Sequence, residues 1–182
     1  MNVRAIRTGE WDWRLALSEK SLIICCGTWP SLDSGYGIAV RSALFAYSQH
    51  FRRVLFLGPS DIQRQRTIES EFPSVEWRTF ECQRNSKILR FAKSLFIGIP
   101  AIAVAYRRLK EVLFPVLDSM VTEANGNGRD VVVLYEDLPV ALWAQEVRTL
   151  APTVRQVLRS HNVLTKGFAG LDRVGTFATR RA

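Results

Sequence analysis

The sequence predicts an α/β fold: a doubly wound, Rossmann-like parallel sheet in three layers, built as a single domain. Two observations predict it. Five short apolar runs recur along the chain, and several are apolar at every position, as strands covered on both faces must be. Segments with helical apolar spacing separate these runs, and strands alternating with helices are most simply satisfied by a parallel sheet with helices on both faces. The length of 182 residues suits one domain with a substantial core.

Residues 1–20 read as a polar leader carrying Trp11 and Trp13, and residues 21–182 as the domain itself. Leu22-Ile23-Ile24-Cys25-Cys26 is the first strand. A loop over residues 27–37 then enters a helix whose apolar positions Val40, Leu44, Tyr47 and Phe51 fall on one face. Val54-Leu55-Phe56-Leu57 is the second strand, closed by Gly58-Pro59, and Ser60 or Asp61 caps a short helix before a third strand over 75–80. Residues 87–97 carry a helical stripe, broken at Gly98 and Pro100. A second stripe runs from Ile102 to Met120, where Pro115 is expected to kink or shorten the helix. After Asn125-Gly126-Asn127-Gly128 comes the clearest buried strand, Val131 to Tyr135. Asp137 then caps a helix with Pro139 in its first turn, burying Val140, Trp143, Ala144, Val147 and Leu150. The last strand, Val154 to Leu158, runs out at Arg159-Ser160-His161-Asn162.

Composition narrows the function classes. The leader has charges throughout and no continuous apolar run, and the longest apolar stretch, 95–106, is too short to span a bilayer, so a cytoplasmic protein is expected. Cys25, Cys26 and Cys82 form neither a disulfide framework nor a metal spacing, and the two histidines lie far apart, so no metal is expected. The net charge of +8 is unevenly spread: residues 82–110 hold seven basic side chains and no acid. Basic groups interleaved with Leu, Phe and Ile there suit an anionic membrane surface at the inner face, or a solvated helix face. No nucleic-acid-binding motif is visible.

Ligands of open parallel sheets bind at the carboxyl ends of the strands, which singles out loops 27–37, 135–138 and 159–165. The first brings Gly35, Tyr36 and Gly37 to a helix start. It is not a dinucleotide fingerprint: Val40 stands where the third glycine belongs, and no acid closes the second strand. The second loop carries Glu136, a candidate for a substrate hydroxyl or proton transfer, next to the cap Asp137. The third carries His161, whose imidazole both accepts and donates, flanked by Ser160 and Asn162. No Gly-x-Ser-x-Gly elbow supports a hydrolase nucleophile.

Together these stretches resemble the amino-terminal domain of GT-B glycosyltransferases of the large family 4 group. The likeness covers about residues 21–170 and rests on Ser34-Gly35-Tyr36-Gly37-Ile38-Ala39-Val40-Arg41, the break at Leu95 to Pro100, Val131 to Glu136, and Val157-Leu158-Arg159-Ser160-His161-Asn162-Val163. It implies transfer of a sugar from a nucleotide-sugar donor to a polysaccharide or glycolipid acceptor, without a metal. His161 would lie near the transferred sugar, Gly35 and Gly37 near the donor phosphates, Glu136 on the acceptor side, with Tyr36, Arg41, Ser160 and Asn162 as further substrate-binding residues. The family's carboxyl-terminal donor domain, with its paired glutamates, has no counterpart here, so the chain alone is expected to be inactive. The alternative is a non-catalytic Rossmann-like binding or interaction module.

Overall fold

A computed structural model describes residues 17–82, 103–124 and 130–159. Strand β1 (Ser21–Cys25) leads to helix α1 (Gly35–His50), β2 (Arg53–Pro59) to α2 (Ile62–Glu71), and β3 (Val75–Phe80) completes the first half. A 3₁₀ turn (Ala103–Tyr106) and α3 (Leu109–Glu123) precede β4 (Val131–Tyr135). A second 3₁₀ turn (Leu138–Trp143) runs into α4 (Ala144–Leu150), and β5 (Arg155–Leu158) follows. The expected helix at 87–97 lies outside the described residues.

All four strand pairings are parallel, in the order β3-β2-β1-β4-β5. β1 is central, with Ile24 opposite Phe56 on one side and Leu134 on the other. Alternate residues of each strand serve opposite layers. Leu22, Ile24, Val54, Phe56, Val132 and Leu134 pack with Val40 and Leu44 of α1 and Ile68 of α2. Ile23, Cys25, Leu55, Leu57, Val131 and Val133 pack with Leu109, Leu113 and Leu117 of α3 and Val147 of α4. Two separate cores on one sheet make the three layers, and explain why β1 and β4 are apolar at consecutive positions. Each Leu or Ile side chain fully buried in these clusters contributes roughly 1.5–3 kcal/mol of transfer free energy.

The helix starts follow local chemistry. Ser34 caps α1 by accepting from the Gly37 amide at 3.0 Å. Asp61, not Ser60, caps α2 through the Arg64 amide at 3.2 Å. Two expectations need correction. The shortening offered as one outcome at Pro115 does not occur, since the helix runs through it to Glu123. Pro115 is on the exposed face, where water can satisfy the carbonyl deprived of its donor. Leu150 is not buried but 63% exposed, because α4 ends there.

At the opposite edge of the sheet, where the strands begin, Arg53 grips Glu76 with two nitrogens (2.5 and 2.8 Å) and Glu123 with the third (2.5 Å). This fork ties β2, β3 and the end of α3 together.

Candidate functional site

The order β3-β2-β1-β4-β5 reverses direction between β1 and β4, and at such a switch point open parallel sheets hold ligands in a crevice between the strand-end loops. The loop after β1 is fixed by Trp29, which is 2% exposed and stacks on Phe56 and Trp77 at centroid distances of 5.9 and 5.7 Å. The ladder is extended past the strand ends on this edge. The Glu136 amide donates to the Cys25 carbonyl, and the Arg159 amide to the Tyr135 carbonyl, each at 2.9 Å. The backbone is therefore held up to the residues that face the crevice.

Five side chains from four places meet there. Glu136 is 1% exposed, and its carboxylate accepts from Arg159 Nε at 2.8 Å. A buried carboxylate is costly without such a partner. Arg159 also donates to the Tyr47 hydroxyl and the Ala39 carbonyl of α1, both at 3.4 Å, and lies 5.9 Å from the Tyr47 ring. The Tyr36 hydroxyl donates to the Glu136 carbonyl at 2.7 Å and sits 3.7 Å from Cys26 Sγ. One phenol thus joins the first turn of α1 to the ends of β1 and β4.

Burial sets the protonation of these neighbours. It pushes the Cys26 thiol up to about 12, the contact with Tyr36 only partly opposing it, so Cys26 is no thiolate nucleophile at neutral pH. Burial also raises Tyr36 well above the ordinary phenol range, and Tyr47 too, although Arg159 opposes the latter shift. Two neutral phenols, a neutral thiol and a compensated ion pair can bind and orient a polar ligand. For proton exchange near neutral pH the chain has imidazoles at two positions only, His50 and His161. His50 closes α1 at the far end of the sheet from this crevice, where the following Arg52 amide donates to the Lys20 carbonyl just ahead of β1.

A cleft of about 340 Å³ lies beside the crevice, over the carboxyl ends of β1, β2 and β3. Thr28, Ser60, Asp61, Arg64, Glu81 and Cys82 supply its polar lining. Its charges are largely compensated: Arg64 lies 3.6 Å from Asp61 and 3.7 Å from Asp33, and Glu81 pairs with Arg108. Such a lining suits a neutral ligand rich in hydroxyls.

The residues singled out from the sequence fall in several places. Tyr36 and Glu136 come together, as above. Gly35 heads α1, with open space where a Cβ would point. Gly37 has a packing reason of its own: a Cβ there would stand 2.7 Å from the Ser31 carbonyl oxygen. Arg41 turns away from the crevice, pairs with Glu71 and lies over the Phe72 ring. Ser160, His161 and Asn162 lie outside the described residues, immediately after Arg159. Arg159 and Tyr47 were not anticipated as site residues. The available signal for Arg159 was an acid directly after one strand and a base directly after the next.

Of the basic segment, Arg107, Arg108 and Lys110 are described. Arg108 is engaged by Glu81, and Lys110 sits 5.1 Å over the Trp143 ring. Among the described residues no group of His, Cys, Asp and Glu is arranged to hold a metal ion, and no helix is long and apolar enough to cross a membrane. No family model, curated protein or solved structure matches this chain.

Proposed function

We propose that this chain is the acceptor-side, amino-terminal half of a GT-B-type glycosyltransferase, which moves a sugar from a nucleotide-sugar to a polysaccharide or glycolipid acceptor. The observation that carries the reading is the cluster of side chains at the switch point between β1 and β4. There Tyr36, Glu136 and Arg159 converge on the ligand-binding edge of a parallel sheet, and the chain continues directly into Ser160-His161-Asn162.

In this reading His161 contacts the transferred sugar and exchanges its proton, with Ser160 and Asn162 binding hydroxyls beside it. The cleft over the ends of β1, β2 and β3, whose charged groups are paired, takes the acceptor. The start of α1 at Gly35 faces the donor phosphates, where backbone amides and the helix dipole favour an anion. The donor's nucleotide is held mainly by a second domain, in the same chain or in a partner. The basic stretch 84–110 rests on anionic lipid at the inner membrane face, which brings a glycolipid acceptor to the site.

The test is transfer by the protein as the cell makes it. It is captured through a tag so that whatever supplies the donor half comes with it, and given labelled uridine- and guanosine-diphosphate sugars with a lipid and glycan extract. Label should appear in a glycolipid or polysaccharide fraction, and His161→Ala should lower the rate about 100-fold or more. Full transfer by the His161→Ala protein removes His161 from the chemistry. No transfer and no specific binding of any donor or acceptor leaves the non-catalytic binding module.

A further inference from the structure

We propose that the acceptor is an amphiphile, a sugar joined to a hydrocarbon chain, and that its chain lies in the groove between α1 and α2 rimmed by Leu32, Ile38 and Phe45. The proposal rests on the transferase reading in taking the cleft over the ends of β1, β2 and β3 as the sugar site. It narrows the acceptor from a glycan or a glycolipid to the lipid-borne kind.

The groove is the last of three hollows that follow one another from the carboxyl edge of the sheet along α2. The first is the cleft of about 340 Å³ at the strand ends. A second, of about 330 Å³, shares Trp29 and Arg64 with it. The third, of about 590 Å³, shares Leu32, Arg41 and Glu71 with the second and no lining residue with the first. Their order is therefore fixed. Successive turns of α2 line them in turn: Arg64, then Thr67 and Ile68, then Glu71 with Phe72 just past the helix end.

The chemistry changes along this path. At the strand ends the lining offers the hydroxyls of Thr28 and Ser60, and Arg64 held 3.6 Å from Asp61. The middle hollow sets Ser31, Gln63 and Thr67 beside Trp29 and Ile68. In the groove the polar lining reduces to Ser42 and the Arg41–Glu71 pair, and the Arg41 guanidinium also covers the Phe72 ring at 5.7 Å. Around it Leu32 is 68% exposed, Phe45 60% and Ile38 45%. Ile38 and Phe45 lie two turns apart on the same side of α1. Single exposed apolar side chains are ordinary, but three on the rim of one groove mark a binding surface. A ligand that fills all three hollows is hydroxyl-bearing at one end and apolar at the other. A glycan has no apolar end, and a partner helix or a second copy seated on the groove would have no use for the polar cleft that leads into it.

The experiment measures binding of n-alkyl β-glucosides and β-maltosides, from methyl to decyl, to the whole chain by calorimetry below their micellar concentrations. Affinity should rise about fourfold for each methylene that enters the groove. Amide shifts around Leu32, Ile38 and Phe45 should appear only with the longer chains. The Leu32→Ser/Ile38→Ser/Phe45→Ser protein, altered only at exposed positions, should keep its binding of the methyl glycosides and lose the dependence on chain length. Alkyl phosphocholines of equal length should bind at least tenfold more weakly than the glycosides. Affinity independent of chain length, or an equal dependence in the triple variant, overturns the proposal. So does equal binding of the phosphocholines, which would make the groove a general lipid surface. Self-association of the wild type that the triple variant loses, without alkyl-glycoside binding, would give the groove to a second copy instead. If the methyl glycosides bind and chain length has no effect, this proposal fails while the transferase reading stands with a polysaccharide acceptor; a failed transfer assay leaves the chain-length series interpretable.

Discussion

Glu136 is the residue on which the crevice is most sensitive to change, because its carboxylate is fully enclosed while its partner is partly solvated. Removing Arg159 strands that charge. Arg159→Ala should cost about 3 kcal/mol in urea unfolding, whereas changing both residues to uncharged isosteres should cost clearly less than the sum of the singles. A double-mutant cycle reads this directly, and additive singles would show that the pair is not coupled. Cys25 and Cys26 make a second prediction at this scale. Burial raises both thiols, so the unfolded chain loses thiol protons before the native one does. Their contribution to stability is fully present below the ordinary thiol range and is lost as pH rises above about 8.5. Unfolding free energy measured between pH 8 and 9.5 should fall, and fall less steeply in the Cys25→Ala/Cys26→Ala protein.

At the scale of elements, the two glycines of the loop entering α1 behave oppositely although the sequence presents them as a pair. Gly37→Ala drives a Cβ against the Ser31 backbone and should destabilise by about 1–3 kcal/mol. Gly35→Ala meets nothing and sits in the first turn of a helix, so it should be neutral or stabilising by up to about 1 kcal/mol. Thermal unfolding of the two variants checks this, and equal losses would contradict the packing assigned to Gly37. Strands β1 and β4 were legible because both of their faces are buried, which writes an unbroken apolar run. The behaviour of Pro115 and Leu150 was not, since it depends on which face of α3 meets water and on where α4 stops. The site divides the same way. Glu136 and Tyr36 could be named from their positions at strand and helix ends. Arg159 could not, because its role depends on β5 lying beside β4 in a register that brings residue 159 to the end of residue 135's ladder.

For the molecule as a whole, topology does the positioning. A central β1, with β2 and β3 on one side and β4 and β5 on the other, puts the switch point of the strand order at its carboxyl end, where Tyr36, Glu136 and Arg159 meet. The proposed membrane contact of the basic segment has its own test: a Lys87/Arg90/Lys93 charge-reversal protein should float poorly with anionic vesicles that carry the wild type, and equal flotation would remove the membrane from the account. The central claim, that sugar ligands engage this edge of the sheet, is tested most directly by amide chemical-shift mapping. The labelled chain is titrated with a panel of short glycosides and nucleotide-sugars. The account predicts perturbations confined to residues 25–37, 58–64, 80–82, 135–138 and 159–165, weakened at the last group by His161→Ala. Perturbations at the opposite edge around Arg53, Glu76 and Glu123, or none with any ligand in the panel, would contradict it.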